Sequence, residues 1–281
     1  MRPFAESETP EQATLAVDDW IHPLDLAMHR EPIPGGEVLV LVMAGDADPA
    51  VGDVGNVELD DAAVHTPELR SPVRLYLAST SPARLATLRA AGVEPVLLSS
   101  GVDEEAVAAA AGPLDGPGLV SLLARAKAEA VEGALVDGAP IDGFILGGDS
   151  AFELDDTLYG KPHFPDVAIA RWRAQRGRTG ILHSGHWLID HRGGVVGASL
   201  GAVSSASVTF ADLTNEEIDA YVATGEPLQV AGAFTVDSLG AAFVTRVEGD
   251  PHAVVGLSVS LLRQLLLEFG VAWPTLWNRS L

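Results

Sequence analysis

Three short stretches hold side chains able to do chemistry on a phosphate. LYLASTSPAR (75–84) places Ser79, Ser81 and Arg84 directly behind an apolar run. GGDS (147–150) supplies a carboxylate, Asp149, and a hydroxyl, Ser150, after two glycines, and GKP (160–162) supplies an amine, Lys161. In the first stretch Ser81 can cap a helix and Pro82 suits its first turn. Backbone donors, hydroxyls and Arg84 then face one point, an arrangement that holds an anion. Together the three stretches describe an enzyme acting on a phosphorylated small molecule with a divalent metal.

Each candidate also has a plainer reading. Asp149 at a strand end is placed to bind a metal or activate water, or it serves a Gly-rich turn through local hydrogen bonds. Lys161 can meet a phosphate or a developing negative charge, or it is an ordinary exposed loop lysine. Its surroundings lack the spacing of a Walker A motif. Asp103, Glu104 and Glu105 can share a divalent cation with Asp149, or they form the acidic first turn of a solvated helix. Lys127 lies among Ala126, Ala128 and Ala130, which would let its helix approach another element and direct the amine into a cleft. Alternatively it is a surface lysine beside Glu129 and Glu132. His183 and His186 fall on one strand with opposite facing, so a shared zinc ion is not expected. Arg171, Arg173, Arg176 and Arg178 form a basic patch, solvated or paired with acids, with Arg178 nearest a strand edge. The small-residue runs 231–234 and 236–240 suit the wall around a base or sugar, with Asp237 as its polar group, or a tight loop.

The elements that must hold these residues alternate along the chain. The pattern predicts strands over 73–78 and 93–99 around a helix over 82–91, then an acidic turn at 101–105. After a break at 112–118 comes an amphipathic helix over 119–132. Strands at 144–146 and 151–154 enter and leave a GGDS turn, and a helix covers 165–175. Long strands over 181–190 and 195–210 pair through a turn at 192–194. Thr214 and Glu217 form a capping box for a helix over 214–224. A strand over 241–247 and a helix over 258–269 complete the pattern. Strand–helix alternation predicts an α/β domain, and the two long strands with no helix between them predict a mixed sheet. Residues 1–72 differ: rich in acid, Pro and Gly, with one strand at 38–43 and a loose segment at 44–61. They read as an acidic extension, packed on the main domain or partly disordered, ahead of a domain spanning 73–281.

The chain has 281 residues, 47% of them hydrophobic but only 6% aromatic, so its core is expected to lean on Ala, Val and Leu. A formal net charge of -22 argues against a nonspecific nucleic-acid surface, which needs a basic footprint. It leaves room for a nucleotide pocket, where a few cations and a metal suffice. Without Cys, disulfides, thiolate catalysis and cysteine zinc sites are excluded. The start of the chain shows no apolar signal core, and its longest apolar runs are too short to span a bilayer. A cytoplasmic protein without membrane contact is the expectation.

Further motifs complete a pattern: SGVDE (100–104), LARAKAEAV (123–131), LYGKP (158–162), LTNEEIDAYVATGEP (213–227), VAGAF (230–234) and GDPHAVVGL (249–257). With the first three stretches, in this order and spacing, the chain resembles the Maf family of nucleoside triphosphate pyrophosphatases over about 74–270. The resemblance implies a mixed α/β fold with two lobes around a central cleft, and a homodimer. It implies cleavage between the α and β phosphates of a nucleoside triphosphate, to monophosphate and pyrophosphate, assisted by Mg2+ or Mn2+. Such enzymes act in house-cleaning of modified nucleotides, and some are linked to arrest of cell division.

Carried over motif by motif, the catalytic set is Asp149, Asp103, Lys127 and Lys161. Asp149 would bind the metal and orient or deprotonate water, with Asp103 assisting at the metal. The two lysines would hold the phosphates. The substrate-binding set is Ser79, Ser81, Arg84, Ser150, Arg178 and Asp237. The chain departs from members that prefer thymidine or uridine nucleotides: Ala83 stands for Arg, Val230 for Lys, Asp237 for Gln, and Gly180 for a His. The catalytic charges are kept, which implies hydrolysis, whereas a preference for dTTP or UTP is not implied. An ionised Asp237 only accepts hydrogen bonds, so it is expected to face the base and to suit the N1 and amino edge of guanine. The alternatives are a nucleotide-binding regulatory protein of this fold with weak or no catalysis, a phosphohydrolase releasing inorganic phosphate, and an interaction protein working through the acidic segment.

Overall fold

The computed structural model describes residues 26–33, 36–43 and 73–279. Two strands come first, β1 (Leu26–Ile33) and β2 (Gly36–Met43). The main domain opens with β3 (Leu75–Ala78), α1 (Pro82–Ala90), β4 (Val96–Leu97), α2 (Glu104–Ala111) and α3 (Gly116–Glu129). A small hairpin, β5 (Leu135–Val136) and β6 (Ala139–Pro140), precedes β7 (Phe144–Leu154) and β8 (Thr157–Tyr159). Then come α4 (Pro165–Gln175), β9 (Thr179–Asp190), β10 (Ser199–Phe210) and α5 (Asn215–Ala223). The last elements are β11 (Val244–Glu248), α6 (Pro251–Val255) and α7 (Val259–Glu268).

One sheet carries the strands in the order β1-β2-β10-β9-β7-β3-β4, with β11 on β10 and β8 on β7. β3 is parallel to β4 and β7, whereas β9 is antiparallel to both β7 and β10. The fold is therefore α/β with a mixed sheet, as the alternation of elements predicts. The strand expected at 38–43 is β2, which runs parallel to β10 with Val38–Val40 opposite Gly201–Val203. The segment 44–61 lies outside the described residues.

Side-chain chemistry sets the helix starts. Ser81, Asp115 and Ser258 each cap a helix through a side-chain oxygen, and Thr214 with Glu217 makes the predicted capping box. The core falls into two lobes. In the first, α7 lays Leu261, Leu262, Leu265 and Leu266 against Leu75, Leu77, Phe144 and Leu146. On the other face of these strands Ala124 and Ala128 of α3 pack on Tyr76, Ile145 and Trp187. The second lobe gathers the scarce aromatics: Phe152, Trp172, Phe210, Tyr221 and Phe234. The Trp172 ring lies 5.4 Å from Phe210 and 5.5 Å from Tyr221, edge to face. The expectation of an Ala, Val and Leu core thus fits the first lobe and not the second.

Several element bounds differ from the sequence expectation. GGDS is not a turn, because β7 runs unbroken through it. Its glycines serve close packing instead. A Cβ on Gly147 would lie 2.0 Å from the Ala124 carbonyl oxygen of α3, and one on Gly148 would lie 3.1 Å from Arg84 Nε. The stretch 93–99 pairs only over Val96–Leu97, and β10 begins at Ser199. The acidic turn at 101–105 contains the start of α2, whose EEAVAAAA sequence has strong helix formers but no apolar periodicity. The break at 112–118 contains the first turn of α3. Leu239–Phe243 winds as a 3-10 turn before β11 begins.

Candidate active site

A gap in strand pairing creates the site. On one edge β7 pairs with β3 only as far as Ala78 opposite Gly147, and β8 resumes that edge only at Phe152. Residues 148–151 of β7 therefore have β9 on one side and, on the other, the place where the chain leaves β3 for α1. Alternation along the strand sends Asp149 and Ser150 to opposite faces. Asp149 shares the face of Gly147 and meets α3, while Ser150 shares the face of Gly148 and meets Arg84.

On the α3 face, close approach decides the geometry. Gly185 repeats on β9 what Gly147 does on β7: a Cβ there would lie 2.3 Å from the Val120 carbonyl oxygen. With both positions bare, α3 lies down on the two strands and brings Lys127 Nζ to 2.6 Å from Asp149 Oδ1. The same ammonium is 2.8 Å from Glu104 Oε1, in the first turn of α2. Lys127 and Asp149 are both buried, whereas Glu104 is exposed. Burial pushes the Asp149 carboxyl above its ordinary pKa, opposed by the cations Lys127 and then Arg84.

On the other face Arg84 turns back from α1 into the fold. Its three donor groups go to three elements: Nε to the Gly256 carbonyl at 2.8 Å, Nη1 to Ser79 Oγ at 3.1 Å, and Nη2 to Ser150 Oγ at 2.9 Å. The hydroxyls continue the line. Ser184 Oγ donates to the Ala253 carbonyl at 2.7 Å, so at the 2.8 Å Ser150–Ser184 contact Ser150 must be the donor. Protons thus run Arg84 to Ser150 to Ser184 to backbone, and every group is fixed. Burial lowers the Arg84 pKa below its ordinary value, while Asp149 and Glu104 oppose that shift, and the group stays charged.

These groups close one end of a cleft of about 750 Å³. Lys161, exposed on the loop after β8, lines the same end. A side pocket of about 200 Å³ opens from it between Ser79–Ser81 and residues 99–102. The cleft is also lined by Leu158 and Asp237, and by Leu182, Phe234 and Val236 from the second-lobe core. Ala83 and Val230, two of the departures from the resembled pattern, also line the cleft. Gly180 is a departure with a packing reason: a Cβ there would lie 2.3 Å from the Phe152 ring, inside the aromatic core.

Most of the predicted residues line this cleft or its side pocket: Ser79, Ser81, Arg84, Lys127, Asp149, Ser150, Lys161 and Asp237. Two do not. Asp103 is the N-cap of α2 and accepts the Ala106 N–H at 3.0 Å, so it is the neighbouring Glu104 that reaches Lys127. Arg178 lies at the far end of β9, paired with Asp155 and donating to the Ala174 carbonyl, away from the cleft lining. The sequence reading also missed Ser184 and the Gly256 carbonyl. His183 and His186 have separate surroundings, as their spacing predicts. His183 contacts Ser205 Oγ at 2.7 Å and Glu153 Oε2 at 3.1 Å, whereas His186 accepts the Ser258 N–H on Nε2 at 2.9 Å.

That last contact fixes a tautomer and a pH dependence. With Nε2 accepting, the His186 proton sits on Nδ1 and is donated to the Ser184 carbonyl at 3.1 Å. Burial, and next the Arg84 charge, lower its pKa from 6.5 to about 4. The unfolded chain therefore binds the proton first as pH falls. The contribution is full above pH 6.5 and is lost as pH falls towards about 4. Thermal unfolding should show a drop in Tm between about pH 7 and pH 5 that is smaller in His186→Gln. An equal drop in both proteins would contradict this assignment.

A nucleoside triphosphate pyrophosphatase of Leifsonia xyli subsp. xyli is 66% identical over 212 residues, covering 74% of this chain and 98% of the relative. Proteins of the same name from Nocardia farcinica and Salinispora tropica are 52% and 50% identical, over 73% and 74% of this chain and 96% and 89% of theirs. The family profile described as Maf-like protein matches residues 74–269, the stretch that carries seven of the sheet's nine strands, both lobes and the residues lining the cleft. The chain belongs to the Maf family.

Proposed function

We propose that the protein hydrolyses nucleoside triphosphates to monophosphate and pyrophosphate in this cleft. The observation that carries the reading is the buried Asp149–Lys127 pair on the stretch of β7 that pairs with β9 alone, with Arg84 behind it, in a chain whose relatives bear that activity in their names. The charged set is present and the relatives' names favour hydrolysis over the regulatory alternative.

The phosphates belong at the end lined by Ser79, Ser81, Lys127 and Lys161, where cations collect on an otherwise strongly acidic protein. Asp149 is the general base: its raised pKa and its Oδ2, which has no hydrogen-bond partner among the described residues, suit it to take a proton from water. Water attacks the α phosphorus, the bond to the α–β bridging oxygen breaks, and pyrophosphate leaves with the electron pair. Lys127, Lys161 and the fixed Arg84 charge offset the negative charge that develops. Ser150 and Ser184 keep the Arg84 plane in place.

Two carboxylates at one ammonium, Asp149 and Glu104, match the donor set of Mg2+ or Mn2+, which keeps waters and takes further ligands from substrate phosphates. When bound there, such a cation neutralises phosphate charge and lowers the pKa of water. Asp237 in the cleft lining accepts from the N1 and amino edge of guanine, which favours guanine over uracil bases. A cytoplasmic homodimer belongs to the same reading and is supported by family likeness alone.

Replacing each of the two adjacent acids tests the site. Glu104→Gln should lower pyrophosphate release from GTP by about tenfold or more and weaken the response to Mg2+. Asp103→Asn should leave turnover near wild type, because Asn also caps helices. The opposite order of effects would return Asp103 to the catalytic set.

A further inference from the structure

On the reading that the base lies toward the second lobe, we propose that Glu226 is a positioning residue for base discrimination. Its carboxylate winds the 235–240 segment so that Val236 and Asp237 stand at the base end of the cleft.

The contacts are unusually complete for one side chain. Glu226 Oε1 accepts from Tyr221 Oη at 2.9 Å, Thr235 Oγ1 at 2.6 Å and the Gly240 N–H at 2.9 Å. Oε2 accepts from Ser238 Oγ at 2.7 Å and the Leu239 N–H at 3.1 Å. The carboxylate thus grips the segment at 235, 238, 239 and 240. Val236 and Asp237, which it does not touch, line the cleft beside Thr235, which it does. Glu226 itself is not part of that lining, so it acts through the segment.

Besides Glu226, the segment is held by the Gly240 N–H to Thr235 Oγ1 at 3.2 Å, the Ala241 N–H to the Ser238 carbonyl at 3.1 Å, and Val236 packed on the second-lobe core. Asp237, Ser238 and Leu239 are exposed, and Leu239 keeps 57% of its surface in solvent. Only glycine closes the turn, since a Cβ on Gly240 would lie 2.5 Å from Tyr221 Oη and 2.7 Å from the Thr235 carbonyl oxygen. Burial raises the Glu226 pKa, but hydrogen bonds from Thr235, Ser238, Gly240 and Tyr221 outweigh it and hold the group at about 2. The hub is therefore ionised at neutral pH. An amide at this position cannot replace it, because either orientation turns an NH2 group toward donors.

The test compares wild type with Glu226→Gln and Ser238→Ala, the second removing one exposed donor from the same hub. Steady-state kinetics and equilibrium binding are measured with GTP and UTP, and tripolyphosphate inhibition reports on the phosphate end alone. In Glu226→Gln the ratio of kcat/KM between the two bases should fall about tenfold, through KM. Its kcat for the better base should stay within about twofold and tripolyphosphate inhibition should not change. Ser238→Ala should shift the ratio in the same direction by less. The proposal is overturned by a wild type indifferent to the base, by unchanged ratios in the variants, or by an equal fall in kcat for both bases. Should Glu226→Gln not fold, Ser238→Ala decides by the same ratio. Absence of pyrophosphate release from wild type would overturn the hydrolase reading instead, and the binding ratios would still judge Glu226.

Discussion

Asp149→Asn should lower kcat/KM for pyrophosphate release by about a thousandfold while the protein stays folded. The amide matches the carboxylate in shape, so the close contact of β7 with α3 is kept. It cannot accept a proton from water at neutral pH. Lys127 retains Glu104 as a partner, so no buried ammonium is left without a carboxylate. Removing a carboxylate whose burial already disfavours its charge costs little stability, and Tm should move by only a few degrees. Single-turnover kinetics beside a thermal melt separate the two quantities. A turnover within about tenfold of wild type would remove Asp149 from the role of base.

The second large effect is structural and catalytic at once. Arg84→Ala should cost about 3 kcal/mol and lower Tm by roughly 10 °C. Three charge-assisted bonds disappear together, and they join three parts of the fold: the β3–α1 turn, β7, and the Gly256 carbonyl between α6 and α7. Arg84→Lys should recover little, because a single ammonium cannot reproduce a planar fork with three diverging partners. The cation also helps keep Asp149 ionised. Its loss should move the acidic limb of the pH–rate profile upward in whatever activity remains. A melt within about 1 °C of wild type would show that the network adds nothing to stability.

Much of this site is legible in the sequence because it rests on local rules. Ser81 before Pro82 marks a helix start, the alanines around Lys127 mark a helix face able to approach a sheet, and Thr214 with Glu217 marks another start. What escapes depends on long-range packing. GGDS reads as a turn because glycines usually mark one, whereas here α3 and Arg84 press against both glycines of a straight strand. Asp103 and Glu104 differ by one position, and only the start of α2 decides between them. The Asp103 to Ala106 spacing is the N-cap signal that could have assigned Asp103 to the helix end. Arg178 does stand at a strand edge, but at the end of β9 remote from the cleft, a matter of topology that local pattern does not carry. Glu226 belongs to a recognisable motif, yet its partners at 235–240 are brought to it only by the folded second lobe.

The central claim is attack by water at the α phosphorus of a nucleoside triphosphate. Product analysis of GTP hydrolysis in 18O-labelled water, with Mg2+ present and Asp149→Asn as control, tests it most directly. The account predicts equal amounts of monophosphate and pyrophosphate, with the label in the monophosphate and both products lost in the variant. Release of inorganic phosphate with a nucleoside diphosphate, label in the pyrophosphate, or undiminished turnover in Asp149→Asn would contradict it.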